Sequence, residues 1–255
     1  MILTTKDELF VPKDKFAIIG VTKDSKTGYQ FGFNCYRWDP TISGNMRVYD
    51  WELLMKGNLD FGETSPLNLL KSCNKETSEI MHKSFREEIE YRSNNNLGYR
   101  EVIKLWPGTR EVLPEFKAAV SRLSGLSDES SLTNIRISSH GGKDCIQMGN
   151  TYLHYPDMLR QLDNIKGKKV LFIYACYSGI LSDRLKNHKK REDYCIVTSC
   201  RTHMKSTNWG DETLDDLLFE HLDNRRRFSE FSPSEIKGAL VTLHPQVFGY
   251  FDFRI

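Results

Sequence analysis

Short apolar runs rich in β-branched and aromatic residues recur along the chain, separated by longer stretches whose apolar positions return every three or four residues. "FAIIGV" (Phe16–Val21), "REVIKLW" (Arg100–Trp106), "NIRISS" (Asn134–Ser139), "KVLFIYA" (Lys169–Ala175) and "YCIVTS" (Tyr194–Ser199) read as core strands. Strands hydrophobic nearly throughout are those covered on both faces, as in a parallel sheet. The helical period falls between them, over Glu76–Tyr91, Arg110–Leu123, Tyr155–Ile165, Ile180–His188 and Thr213–Leu222. This alternation predicts an α/β fold, a three-layer α/β/α sandwich around a mostly parallel sheet of about six strands. The stretch Asp24–Pro66 is less regular and reads as a hairpin or loop excursion after the first strand. The tail "GALVTLHPQVFGYFDFRI", broken by Pro245, predicts one or two edge strands closing the sheet.

A length of 255 residues fits one α/β domain, so a single domain over 1–255 is expected, with the excursion at about 24–66. Hydrophobic residues at 39%, charged residues at 27% and a net charge of +2 describe an ordinary globular chain and name no charged partner. The basic runs Arg184–Asp193 and "NRRRF" read as solvated helix faces, and no aromatic interleaving suggests nucleic-acid binding. No apolar run approaches membrane-span length and the first residues are charged, so a cytosolic chain without a membrane partner is expected. The six cysteines, Cys35, Cys73, Cys145, Cys176, Cys195 and Cys200, form no CxxC pair. They read as free thiols rather than a zinc cage or disulfide frame, and no metal or cofactor is expected.

Chemistry is concentrated at two strand ends. "NIRISSHGG" ends in His140-Gly141-Gly142, and "VLFIYACYSG" ends in Cys176-Tyr177-Ser178-Gly179. A right-handed crossover would set these strands side by side and bring both side chains to the carboxyl edge of the sheet, where open α/β folds place their sites. A thiol near its reference pKa of about 8.5 is mostly protonated at neutral pH, and a neighbouring imidazole or helix N-terminus raises its thiolate fraction. Gly141, lacking a Cβ, lets its N–H approach a substrate carbonyl, and with the Cys176 N–H it makes a candidate oxyanion hole. A phosphatase loop fails because Cys-x5-Arg requires arginine where Ser182 stands. A serine-hydrolase elbow fails because Cys176 stands where the first glycine of G-x-S-x-G belongs.

"SSHGG" followed by "YACYSG" resembles the caspase-like cysteine peptidases, the group of caspases, metacaspases, legumain and gingipain, and the likeness runs over roughly Phe16 to Asp252. The resemblance implies a cysteine endopeptidase with His140 and Cys176 as its dyad, a protein or peptide substrate, and no cofactor. Tyr174 stands where caspases carry glutamine and the basic-specific relatives an acid, so the residue after which the chain would cut is left open. "FNCYRWD" is faintly similar to a legumain segment, which makes Arg37 a candidate for reading an Asp or Asn side chain. Tyr174, Cys200 and Arg201 are further candidates for substrate contact, with His203, Lys205 and Asp211 as alternatives. The alternative function is a catalytically quiet scaffold of the same fold that binds peptide without cutting it.

Overall fold

A computed structural model describes residues 9–21, 34–38, 46–50, 90, 93, 98–105, 111–203, 227–230 and 246–254, with the backbone alone for 21, 34–38 and 46–50. The chain divides into two compact units, Met1–Asp24 with Ser84–Ile255, and Ser25–Lys83. In the smaller unit β2 (Asn34–Trp38) and β3 (Met46–Asp50) pair antiparallel, the hairpin expected of the excursion.

The larger unit is built on a six-stranded sheet. Its strands are β1 (Lys15–Val21), β4 (Tyr99–Leu105), β5 (Leu132–Ser138), β9 (Lys168–Tyr174), β10 (Tyr194–Thr198) and β11 (Gln246–Gly249). They stand in the order β11-β10-β9-β5-β1-β4. All neighbours run parallel except β11, which closes the edge antiparallel to β10. The five parallel strands fall on the five runs picked out by apolar content, and β11 falls on the tail.

Among the described residues, three helices connect the strands. In α1 (Val112–Leu126), Val112, Phe116, Ala119, Val120 and Leu123 are buried, the spacing that lays one stripe of a 3.6-residue helix on a sheet. In α2 (Tyr155–Leu162), Tyr155, Met158, Leu159 and Leu162 do the same, with Pro156 in the first turn, where the absent N–H costs nothing. In α3 (Gly179–Lys186), Leu181 and Leu185 are buried. These stripes join Phe16, Ile18, Ile135, Ile137, Leu171, Ile173 and Ile196 in one continuous apolar cluster. Each such side chain contributes about 1.5–3 kcal/mol on burial.

The second helical layer of the expected sandwich is not among the described elements. By strand alternation the opposite face carries Ala17, Ile19, Val170, Phe172 and Val197, all buried, with Phe253 edge-on to Phe172 at 6.4 Å. The helix expected over Thr213–Leu222 lies outside the described residues, and so does that over Glu76–Tyr91 apart from Glu90, which is helical. No helix among the described residues is long and apolar enough to cross a membrane.

At the edge where the parallel strands begin, Lys169 is 1% exposed, and its ammonium donates to the carbonyls of Ile165 and Gly167, both at 2.8 Å. Burial pulls its pKa down to about 8, against the opposing pull of Asp193 and Asp163. The folded chain therefore releases this proton near pH 8, whereas the unfolded chain holds it to about pH 10.4. Between those values the unfolded state binds more protons, so this lysine makes stability rise with pH, by up to about 3 kcal/mol. Tyr155, Tyr194 and Cys195, all pushed up by burial, act in the opposite sense at alkaline pH. Urea unfolding of wild type and Lys169→Met from pH 7.5 to 10.5 isolates the lysine: the stability difference, wild type minus variant, should climb with pH. A flat difference would contradict the assignment.

Candidate functional site

β5 and β9 are parallel neighbours in register, Ser138 opposite Tyr174, so the segments that leave them emerge together at the carboxyl edge. Pairing continues one step further, with the Ser139 N–H donating to the Tyr174 carbonyl at 2.9 Å. His140 and Cys176 follow directly, and both are half-buried.

The chain beyond Cys176 reverses sharply. Tyr177 has φ 60°, a left-handed conformation rare for a bulky side chain and costing about 1–3 kcal/mol. The cost is borne by contacts beneath the turn, which converge on Ala175. Its carbonyl accepts from the Ser178 N–H at 3.2 Å, the Ser199 hydroxyl at 3.4 Å and the Cys200 thiol at 3.3 Å. Its N–H donates to Ser199 Oγ at 3.2 Å. Gly179 then opens α3 where no larger residue fits, since a Cβ would stand 2.5 Å from the Thr202 nitrogen and from Gln246 Oε1. The Cys176 turn is thus wedged between β9 and the loop that follows β10.

On the other side, His140 enters a short three-stranded sheet of β6 (Gly141–Gly142), β7 (Cys145–Met148) and β8 (Thr151–His154). The His140 carbonyl accepts from the Gln147 N–H at 2.9 Å, and the Ser139 hydroxyl donates to the Gln147 carbonyl at 2.7 Å. Ile146, Met148 and Leu153 anchor this sheet in the main apolar cluster. Hydrophobic period alone does not reveal these strands. Their signal is the Gly149-Asn150 pair, with Gly149 at φ 64°, between "CIQM" and "TYLH".

The two segments meet at Gly141. A Cβ there would lie 2.9 Å from both the nitrogen and the carbonyl carbon of Cys176, and closer still to its carbonyl oxygen. Only a glycine permits this backbone contact. It sets His140, Gly141 and Cys176 at one point of the sheet edge, with the α3 N-terminus three residues beyond the thiol.

The remaining candidates fall in different places. Tyr174 is 5% exposed and Cys200 1%. Neither side chain lies open to a substrate, and Cys200 instead supports the Cys176 turn from below, with its sulfur 3.6 Å from Ser178 Oγ. Arg201 and His203 are exposed at the end of β10, beside the start of α3. Between them the Thr202 hydroxyl donates to Asp183 at 2.6 Å. Burial pushes the Asp183 carboxyl up, but hydrogen bonds from Lys186 and Thr202 and the charges of Lys186 and His203 outweigh it and hold the group below its usual range. Arg37 stands on β2 of the smaller unit, opposite Arg47 in register, and its side chain lies outside the described residues, as do Lys205 and Asp211.

At two other cysteines the surroundings disfavour the thiolate. Burial pushes Cys195 up, with Asp252 adding to it. Burial also pushes Cys145 up, and although the Gly142 N–H counters this, Asp144 reinforces it. No group of three or more His, Cys, Asp or Glu side chains among the described residues is placed to hold a metal ion. Compared with models of known protein families and with curated proteins, the chain matches none.

Proposed function

We propose that the larger unit is a caspase-like cysteine endopeptidase of the three-layer α/β/α class. Cys176, as thiolate, attacks the scissile carbonyl, and the N–H groups of Gly141 and Cys176 hold the oxygen as it gains charge. His140 takes the thiol proton and delivers it to the leaving amine, then activates the water that releases the acyl group. The substrate is a protein or peptide. An Asp or Asn before the cut would pair with a cationic side chain, for which the exposed Arg201 is the candidate in this unit.

The observation that carries this reading is the close backbone approach of Gly141 to Cys176, which brings the strand ends bearing imidazole and thiol together; a substrate carbonyl bound there would have the two N–H groups as donors. The strained Tyr177 immediately after Cys176 agrees with it, since left-handed non-glycine residues cluster at sites where a side chain must be aimed.

The test is covalent labelling. A peptidyl acyloxymethyl ketone should modify Cys176 in preference to Cys145, the other half-buried thiol of this edge, and the labelling should vanish in His140→Ala. Binding of peptide without any Cys176 labelling would favour the quiet scaffold instead.

A further inference from the structure

We infer that Asp144 and Arg184 form a positioning pair that holds the His140 loop against the Cys176 turn; the inference rests on the peptidase reading only in taking these two residues as the reactive ones. The imidazole and the thiol arrive on separate chain segments, so their alignment depends on whatever ties the segments together. One tie is the Gly141 contact. Beyond it β6 consists of two glycines, which bring no side chain to fix the loop and lose the most conformational freedom on ordering.

A second tie lies at the far end of that strand. Asp144 occupies the turn between β6 and β7 at φ 68°, and its carbonyl accepts from the Tyr155 N–H at 3.0 Å, which anchors it to the start of α2. Its carboxylate receives Arg184 twice, Nε at 3.0 Å on one oxygen and a terminal nitrogen at 2.5 Å on the other. Arg184 belongs to α3, the helix that grows out of the Cys176 turn. The bidentate fork fixes orientation as well as distance. Among the described residues, charges on the two flanking helices have partners of their own: on α3, Lys186 pairs with Asp183 at 2.7 Å, and on α2, Arg160 pairs with Asp157 at 2.7 Å. Lys143, beside Asp144, is exposed. The dyad is therefore bracketed, with a backbone contact on one side and a bidentate ion pair on the other.

The experiment follows the rate of Cys176 alkylation by iodoacetamide against pH, read by mass spectrometry of the Cys176 peptide so that Cys145 does not contribute. Wild type should react in a His140-dependent way. Asp144→Asn and Arg184→Met should each slow Cys176 about fivefold at neutral pH and move the midpoint of the profile upward. The double variant should be no slower than either single, and Arg184→Lys, which keeps the charge without the fork, should recover part of the rate. Where Arg184→Met does not fold, Arg184→Gln takes its place in the cycle. Single variants with the wild-type profile, or effects that multiply in the double variant, overturn the pair. The readout needs no peptide turnover. A chain whose Cys176 reacts in a His140-dependent way but cleaves nothing removes the peptidase reading and leaves the pair standing; turnover with an unaltered alkylation profile in the variants removes the pair alone.

Discussion

Cys176→Ala is expected to lower peptide cleavage by about 10⁴-fold or more, because without the sulfur no acyl intermediate can form and only residual binding and oxyanion stabilisation remain. The substitution removes one atom from a half-buried position. The turn it sits in is held by backbone and by Ser199 and Cys200, none of which changes. Thermal unfolding should therefore move by only a few degrees, and the loss should appear in kcat. Cys145→Ala is the matched control: a half-buried thiol on the same edge, pushed toward its neutral form, whose removal should leave turnover intact. Cleavage of a P1-varied fluorogenic peptide library by purified Cys176→Ala, at the wild-type rate, would overturn the proposed mechanism.

The second large effect belongs to a residue with no side chain. Gly141→Ala should lower kcat by about 10²–10³-fold, the usual cost of losing an oxyanion donor. The new methyl group cannot be accommodated by a rotamer change, since the atoms it meets are the nitrogen and carbonyl of Cys176. Relief requires the two strand ends to part, and parting displaces both proposed donors and the imidazole together. Gly142→Ala makes the comparison. Among the described residues its Cβ would meet only the Cys145 sulfur, at 2.8 Å, the movable end of a side chain, so a loss of a few-fold is expected. Steady-state kinetics of the two variants, alongside their unfolding curves, separates a local effect on the site from a general loss of fold. Equal activities for Gly141→Ala and Gly142→Ala would remove the special standing of Gly141.

How much of this was readable in advance depended on range. The five parallel strands and the three described helices were legible because their signal is local: a run such as "KVLFIYA" is hydrophobic throughout since both faces of β9 are covered, and α1 repeats its apolar residues on the helical period. The candidates His140, Gly141 and Cys176 were legible because parallel strands put their carboxyl ends on one edge, so two unusual strand ends suffice to suggest a site. The β6–β8 sheet was missed because it is short and half polar, with only a Gly-Asn turn to announce it. Tyr174 and Cys200, candidates for substrate contact, are both buried. Position next to a strand end does not say which side of the backbone a side chain takes, and both point into the protein.

What the sequence determined alone is the set of elements, their α/β order and the two strand ends that carry His140 and Cys176, since each follows from the period of apolar residues and from turn residues within a few positions. The tertiary structure decided which atoms meet: the Gly141 backbone against Cys176, Ser199 and Cys200 beneath Ala175, and Asp144 joined to Arg184 forty positions away. Those contacts join segments distant in the chain. Their existence depends on strand order and register, which no local pattern encodes and which only the packed sheet supplies.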